Sequence, residues 1–527
     1  MSEQWVKAIS VEGLHEKRAA VVRLCGKQLA IFEHSNGVLA CNNRCPHEGY
    51  PLSEGSLDGK CVLTCNWHNW KFDLKSGSNL YGGDRLRIYP TQTRNGDIWV
   101  DISDPPIDVQ KSEVMSNLRD AYDDHEYDRL AREIGRWQLL GADPVEVVAA
   151  GIEWSFERMQ FGWTHAFAGA ADWLDLYDEH AGDVETQLIC VLEAIGHMSD
   201  DLLRERDYPY TCASLEFDEQ RFLAAVEGED EPSAVGMIQG ALDADMSFDA
   251  LEGPLTRAAL RHYNDFGHSL IYVGKAGGLI KRLGTRVAKP LLVSLVRSII
   301  FANRDDKIPE FRRYADARAA WGDTNDSEQP CMGQFRRLGI DKAIRCMQTL
   351  SRSEPEDLFG ALLGANAVNM VGFDLSFQSH VDRPICDNVS WLDFTHAITF
   401  ADAVWKSCRR YPDTWPDGLL QLACFSGRNA SFTERNVDVN AWAVTGVDDF
   451  FADSIDNLFD HARDEYIVSV HILKTLLAGR KLARSRPDRE GTREVLAALN
   501  RFLNEPLKRK HVRRTVRQAM AFIQRDA

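Results

Sequence analysis

The chain lacks several features that would narrow its class at once. Its most apolar run, PLLVSLVRSIIF (290–301), is short and interrupted by Arg297, which argues against a membrane span. The opening MSEQWVKAISVEG has no apolar core of the length a secretory leader requires, so a cytoplasmic location is the expectation. Positive charge is scarce: 61 Lys and Arg stand against 79 Asp and Glu, a net charge of −18. That balance disfavours nucleic acid as the main partner, because backbone binding needs a positive footprint. One basic segment, KRKHVRRTVR (508–517), stands apart. It reads as the solvated face of a last helix, with a docking patch for an acidic redox partner as the alternative. The twelve cysteines come without an export signal and do not suggest a disulfide scaffold. No tract is of low complexity, and 527 residues are too many for one ordinary core, so two or three domains are expected.

What is present begins with strands. Residues 1–105 show β-branched and alternating apolar stretches, VVRLCGKQLAIFE and GVLACNN, separated by SNG. GSLDGKCVLTC reads as a turn and a short strand, and NGDIWVDI closes the region. No helical periodicity appears before residue 110. Within this setting lie CNNRCPHEGYPL (41–52) and CNWHNWKFD (65–73), each offering one cysteine and one histidine: Cys45 with His47, and Cys65 with His68. A two-iron, two-sulfide cluster can take two thiolates and two neutral imidazoles, and that exchange raises its potential. Zinc uses the same residue types. The loop context decides between them: HEGYPL follows the first pair, HNWKFDLKSG the second, and GGDRLRIYP closes the region.

In these motifs the first 105 residues resemble the Rieske family of [2Fe–2S] domains. The resemblance implies a small antiparallel β fold with the cluster at one tip. It places Cys45 and Cys65 on the buried iron and His47 and His68 on the exposed one. Respiratory members carry two further loop cysteines joined in a disulfide. Here those places hold Gly49 and Trp67, so the chain is similar to the ferredoxin and oxygenase branch, and Cys41 and Cys61 are packing residues.

Residues 103–116, DPPIDVQKSEVMSN, carry two prolines and no clear period, and the first domain boundary is expected there. The acidic RDAYDDHEYDR (119–129) reads as a solvated helix face, so that 106–139 form a linker and an acidic helix. From 140 to 527 apolar residues recur at helical spacing. Expected loops are EGEDEPSA (227–234), WGDTNDSEQP (321–330) and RSRPDREGT (484–492). The fold class is therefore α+β multidomain: a small antiparallel β domain, then a large all-α domain. That departs from the familiar Rieske oxygenases, whose catalytic domain is largely β-sheet and holds iron through two histidines and a carboxylate.

The helical part repeats. NDFGHSLIYVGKAGGLI centres on His268 and LDFTHAITFADAVWKSC on His396, each with Asp-Phe-x-His, supplied by Asp265 and Asp393. Leu291-Leu292 and Leu419-Leu420 follow at 23 and 24 residues. GWTHAFAGAADWL around His165 keeps the offset with Leu188-Ile189, and VHILKTLLAG around His471 is a looser copy, followed by Val495-Leu496. Each copy reads as a helix with a histidine, a connection and a returning helix, and such hairpins pack as a bundle or short array. An Asp and a His three apart on one helical face share a metal or a hydrogen bond. Three readings stay open: packing relics of duplication, a metal-free polar pocket, and a metal site. Glycine and valine (Gly162, Val468) replace the aspartate in two copies, and di-iron bundles use Glu-x-x-His and more carboxylates. Further candidates are Asp172, His197 and Asp402, with His262 and His380 less well placed. GHSLIYVGKA is also similar to a stretch of the questin-oxidase-like proteins, helical proteins linked to Baeyer–Villiger-type ring opening of aromatic polyketides.

The function expected is a Rieske-dependent oxidoreductase of the oxygenase type. A separate NAD(P)H-fed reductase or ferredoxin reduces the cluster, and electrons reach a helical-domain site acting on a small organic substrate. His165, Asp265, His268, Asp393, His396 and His471 are the candidate site residues, with a second non-haem iron as a candidate cofactor. A homo-oligomer that exchanges electrons between subunits, as Rieske oxygenases do, is compatible with this. The alternative is an electron-transfer or redox-sensing protein whose helical domain is a binding module. The resemblance also bears on potential. Asn69, Lys71 and Phe72 follow His68 where respiratory relatives carry a serine and a tyrosine donating to the cluster. A redox titration is expected to place the midpoint near about −150 mV rather than +300 mV.

Overall fold

The computed structural model describes residues 4–35, 37–324, 328–381, 383–384, 388–505 and 512–526. The basic segment 508–517 thus begins outside the described residues, and its remainder opens the helix Val512–Asp526. The chain divides into two compact units, Met1–Asp143 and Pro144–Ala527. Among the described residues no helix is long and apolar enough to cross a membrane.

The first unit holds three small antiparallel sheets. Strands β1 (Trp5–Ser10), β2 (Ala19–Leu24), β3 (Lys27–His34), β4 (Gly37–Asn42), β5 (Ser56–Leu57), β6 (Val62–Thr64), β7 (Lys71–Asp73), β8 (Asn79–Tyr81), β9 (Ile88–Tyr89), β10 (Thr91–Arg94) and β11 (Asp97–Asp101) order as β1-β11-β10, β2-β3-β4-β9 and β5-β6-β7-β8. The stretch VVRLCGKQLAIFE is broken by a two-residue turn, Cys25–Gly26, both at positive φ (45° and 83°). This is the backbone twist that a tight hairpin needs. Strand β3 explains the layering. Its residues face alternate sides, so Leu29 and Ile31 join a core with Ile98 and Val100, while Ala30 and Phe32 join another with Leu63, Phe72, Cys45 and Cys65. Cys41 lies buried in that second core and Cys61 is buried beside it.

Two expectations need correction here. A helix, α1 (Val11–Lys17), stands before residue 110; it is capped by the Ser10 side chain, which accepts from the Gly13 N–H, and is too short to show a period. The break between units lies at 143/144 rather than near 105, because 106–139 is no linker. It forms α2 (Ile107–Asp123) and α3 (Tyr127–Leu139), which belong to the first unit. The acidic 119–129 stretch conceals the reason. Arg129 is buried, and its Nε donates to Asp84 Oδ1 at 2.5 Å, with Asp84 itself fully enclosed. Arg132 and Arg136 approach the other oxygen at 3.5 Å.

Among the described residues the regular elements of the second unit are all helices. Its heart is four hairpins: His165–Glu179 with Val184–Asp201, His268–Leu283 with Ala288–Ile300, Trp391–Arg410 with Trp415–Asn429, and Tyr466–Ser485 with Thr492–Asn504. The four leading helices pack as a closed ring, each against the next and the fourth against the first, and each returning helix packs on its own partner. The paired apolar residues of the repeat are buried at Leu291-Leu292, Leu419-Leu420 and Val495-Leu496. In the first hairpin the register slips: Leu188-Ile189 are half-buried and Cys190 and Val191 take the core positions.

Removing the Asp84 carboxylate leaves the enclosed Arg129 with Glu126 alone at hydrogen-bond distance and takes away the oxygen that Arg132 and Arg136 approach. Asp84→Ala is expected to cost about 3–5 kcal/mol, read by chemical denaturation of the full chain, with faster amide exchange across residues 107–139.

Candidate functional site

The two loops of the first unit are built alike. In each, the cysteine N–H donates to the carbonyl five residues on, Cys45 to Tyr50 and Cys65 to Trp70, at 2.9 and 2.8 Å. Its carbonyl accepts from the N–H four residues on, of Gly49 and Asn69, at 2.8 and 2.9 Å. Those fourth residues take positive φ, 76° and 62°, a conformation glycine and asparagine tolerate. The sulfurs turn inward and are buried. The histidines turn outward, His47 Nδ1 lying 3.1 Å from His68 Nδ1. Trp70 stacks on His47 at 4.6 Å and 15°, and Trp67 on His68 at 5.4 Å and 12°. Burial pushes the Cys45 thiol up to about 11, against the N–H groups of His47 and Glu48, and the neighbouring Cys65 raises it further. A thiol so enclosed surrenders its proton to a metal rather than to water. Paired thiols beneath paired imidazoles match the donor set of a two-iron cluster.

The second site lies at the centre of the helical ring. His268 Nε2 stands 2.8 Å from His396 Nε2, and His471 Nε2 3.2 Å from the same atom. The His165 ring lies 4.7 Å from those of His268 and His471 and 6.2 Å from that of His396. His165, His268 and His396 each offer a donor atom within 4.8 Å of the others. The outer nitrogens explain the inner ones. His268 Nδ1 faces Asp265 Oδ2 at 3.1 Å, His396 Nδ1 the Leu392 carbonyl at 2.5 Å, and His471 Nδ1 the Ile467 carbonyl at 2.6 Å. Each partner can only accept, so each Nδ1 carries the ring proton and each Nε2 presents a lone pair. Burial drives the pKa of all four histidines down, so they are neutral near pH 7. The Nε2 of His165 is buried with no hydrogen-bond partner.

Lone pairs facing one another at such distances repel unless a cation lies between them. Nitrogens bound to one metal at ~2.0–2.1 Å stand about 3.0–3.4 Å apart at ordinary coordination angles, which is close to the spacing here. The outer N–H bonds to a carboxylate and two carbonyls are those that orient metal-ligating histidines.

Local sequence accounts for each histidine's position. Thr164 caps its helix, its hydroxyl accepting from the Ala166 N–H, so His165 is the first helical residue. His268 also opens its helix, after a turn in which Asp265, Phe266 and Gly267 all have positive φ (42°, 52° and 78°). For Asp265 and Phe266 this backbone is strained. A Cβ on Gly267 would meet Phe400 at 2.3 Å. Asp265 is therefore not one helical face with His268, as the spacing suggested; the turn brings it there. Asp393 does not repeat that role. It accepts from the Ser390 N–H at 2.8 Å in a capping box. Of the further candidates, Asp172 pairs with Lys275, His197 stacks on Tyr466, Asp402 pairs with Lys406, and His262 pairs with Glu227 and Asp306. His380 is exposed.

One residue escaped the sequence reading. Lys474 is buried with its Nζ 3.4 Å from His396 Nε2, and desolvation lowers its pKa to about 7. Its signal was a lone charge one helical turn after His471 inside the apolar run HILKTLLAG.

A β domain that presents two thiols beneath two outward imidazoles defines an iron–sulfur electron carrier. Residues 4–85 match the family model of the Rieske [2Fe-2S] domain, and through that domain the chain belongs to the Rieske family, which implies a [2Fe–2S] cluster. The chain is similar to 4beta-methylsterol monooxygenase of Methylococcus capsulatus (strain ATCC 33009 / NCIMB 11132 / Bath), 32% identical over 120 residues, covering 20% of this chain and 32% of that protein. It is similar to the ferredoxin component of the naphthalene 1,2-dioxygenase system of Pseudomonas putida, 28% identical over 105 residues, covering 20% of this chain and 100% of the ferredoxin. A Rieske domain-containing protein of Homo sapiens is 31% identical over 110 residues, covering 17% of this chain and 69% of that protein. The chain thus spans about a third of the sterol monooxygenase.

The depressed histidine pKa values have a consequence for stability. Below about pH 6.5 the unfolded chain takes up protons that the folded one refuses, so stability falls as pH drops through that value. For metal-free protein, His396→Gln is expected to shrink the loss of unfolding free energy between pH 6.5 and 5.5 by about 1 kcal/mol, measured by urea titration at each pH.

Proposed function

We propose that this chain is a Rieske-cluster-dependent oxidoreductase whose helical unit is an oxygenase site for a small organic substrate. An external NAD(P)H-fed reductase or ferredoxin is the electron source. Cys45 and Cys65 would hold the buried iron of the cluster, and His47 and His68 the outer one; single-electron transfer is the chemistry it supplies when bound. His268, His396 and His471, with His165, would hold a second metal, a non-haem iron, which supplies Lewis acidity and dioxygen activation when bound.

The observation that carries this reading is the convergence of Nε2 lone pairs whose outer N–H bonds are already taken. Packing relics would not need three imidazoles turned toward one point with their protons held outward. The chain's own residues have definable tasks. Asp265 and the carbonyls of Leu392 and Ile467 hold the protons on Nδ1 and fix the ring planes. The enclosing apolar helices exclude water, which strengthens every charge interaction at the centre. Trp67 and Trp70 hold the outer histidines of the cluster in place by stacking. The relatives named above include a monooxygenase and a dioxygenase-system ferredoxin, which supports a place in oxygenase chemistry.

Iron quantification after anaerobic reduction, combined with electron paramagnetic resonance, tests the reading. Three irons per chain are expected, with His396→Ala losing the third and keeping the cluster signal. Asp265→Asn is expected to weaken binding of the third iron roughly 10–100-fold. Two irons per chain in fully active protein would remove the second metal.

A further inference from the structure

The four helices that carry the histidines continue beyond them and, with Glu252, line a pocket of about 400 Å³ that opens to solvent beside the half-exposed Lys406 and Arg410. Ile271, Thr399 and Lys474 line it, each three residues past a histidine, so its inner end lies one helical turn from the imidazoles. Leu174 and Leu279 add apolar wall.

Its charges are unevenly matched. Five lining cations have carboxylates: Lys275 with Asp172 at 2.5 Å, Arg282 with Asp178 at 3.0 Å, Lys406 with Asp402 at 2.6 Å, Arg410 with Glu252 at 2.6 Å, and Lys481 with Asp175 at 2.7 Å. Lys474 is the sixth, and among the described residues it has no carboxylate partner. It is buried, its hydrogen-bond partner is His396, and Asp172 and Asp265 act on its charge only from beyond ion-pair distance. An enclosed ammonium without a counter-ion is unfavourable. The neutral imidazoles beside it bring no negative charge, and a metal held there would add more positive charge. What Lys474 lacks, among the described residues, is an anion at ion-pair distance.

The space itself is kept open. Gly274 and Gly278 lie in the interior of the helix His268–Leu283 and line the cavity, and a Cβ at either would meet nothing within 4 Å. Close packing does not require glycine there, and glycine weakens a helix interior. Their effect is room.

We propose that this cavity binds a small organic acid, an aromatic or aliphatic body with a carboxylate that pairs with the Lys474 ammonium beside the histidines. The apolar wall takes the body, and Asp402 Oδ1, a buried oxygen with no partner on that wall, accepts a hydrogen bond from a hydroxyl where the acid carries one. That this acid is the substrate rests on the function proposed above; that it binds does not.

Calorimetric titration of the full chain, metal-loaded and chelator-treated, with benzoate, hexanoate and the neutral benzamide tests this. One or both acids are expected to bind, with benzamide at least tenfold weaker than benzoate. Lys474→Met is expected to weaken acid binding at least tenfold. Gly278→Leu, whose side chain would enter the open space, is expected to abolish it without lowering the melting temperature. No binding of either acid, or unchanged affinity in Lys474→Met, would overturn the site. Acid binding that survives chelation in a chain holding only two irons keeps this site and removes the metal. A third iron without acid binding does the reverse.

Discussion

The helical unit is organised around an electrostatic problem, three imidazole lone pairs held at 2.8 and 3.2 Å across the middle of a ring of helices. No arrangement of neutral histidines is stable that way by itself. The fold imposes it by fixing the far side of each ring. His396 and His471 bond the carbonyl four residues earlier in their own helices, so ordinary helix geometry aims them. His268 has no preceding turn to bond, being the first residue of its helix, and Asp265 takes that place from a strained turn. Phe266, in the same turn, lies against His396 at 5.7 Å and under Arg428 at 4.1 Å. Backbone strain of this kind persists only where surrounding contacts over-determine it, and here those contacts belong to the site.

The two sites differ in what they do with solvent. In the first unit the imidazoles are the outer pair and the thiols the inner one, so the cluster position has an outward face suited to electron exchange. In the second unit the imidazoles are inside, and the cavity beside them is defined by the same four helices. A buried lysine, Lys474, stands where cavity and histidines meet.

Much of this was legible beforehand. Cys45, His47, Cys65 and His68 could be read as a set because their spacing lies within two short loops whose geometry is local. The hairpin repeat was legible because helical period and the 23–24 residue offset are properties of the chain itself. Asp265 and Asp393 show where such reading stops. The same Asp-Phe-x-His string forms a strained turn before one helix and a capping box at the start of another, and the difference lies in Ser390 and Gly267 and in what packs on them. In the sequence Arg129 reads as part of a solvated face, because no local signal marks its partner Asp84, 45 residues away.

By itself the sequence determined the β character of the first hundred residues, the pairing of one cysteine with one histidine in each of two loops, and the helical, repeating nature of the rest. These follow from residue types and periods that act over a few turns of chain. Only the tertiary structure decided that the four hairpins close into a ring, that His165, His268, His396 and His471 meet, and that Lys474 is left without a counter-ion. Those are contacts between residues up to about three hundred positions apart, set by how whole helices pack, and no local preference encodes them.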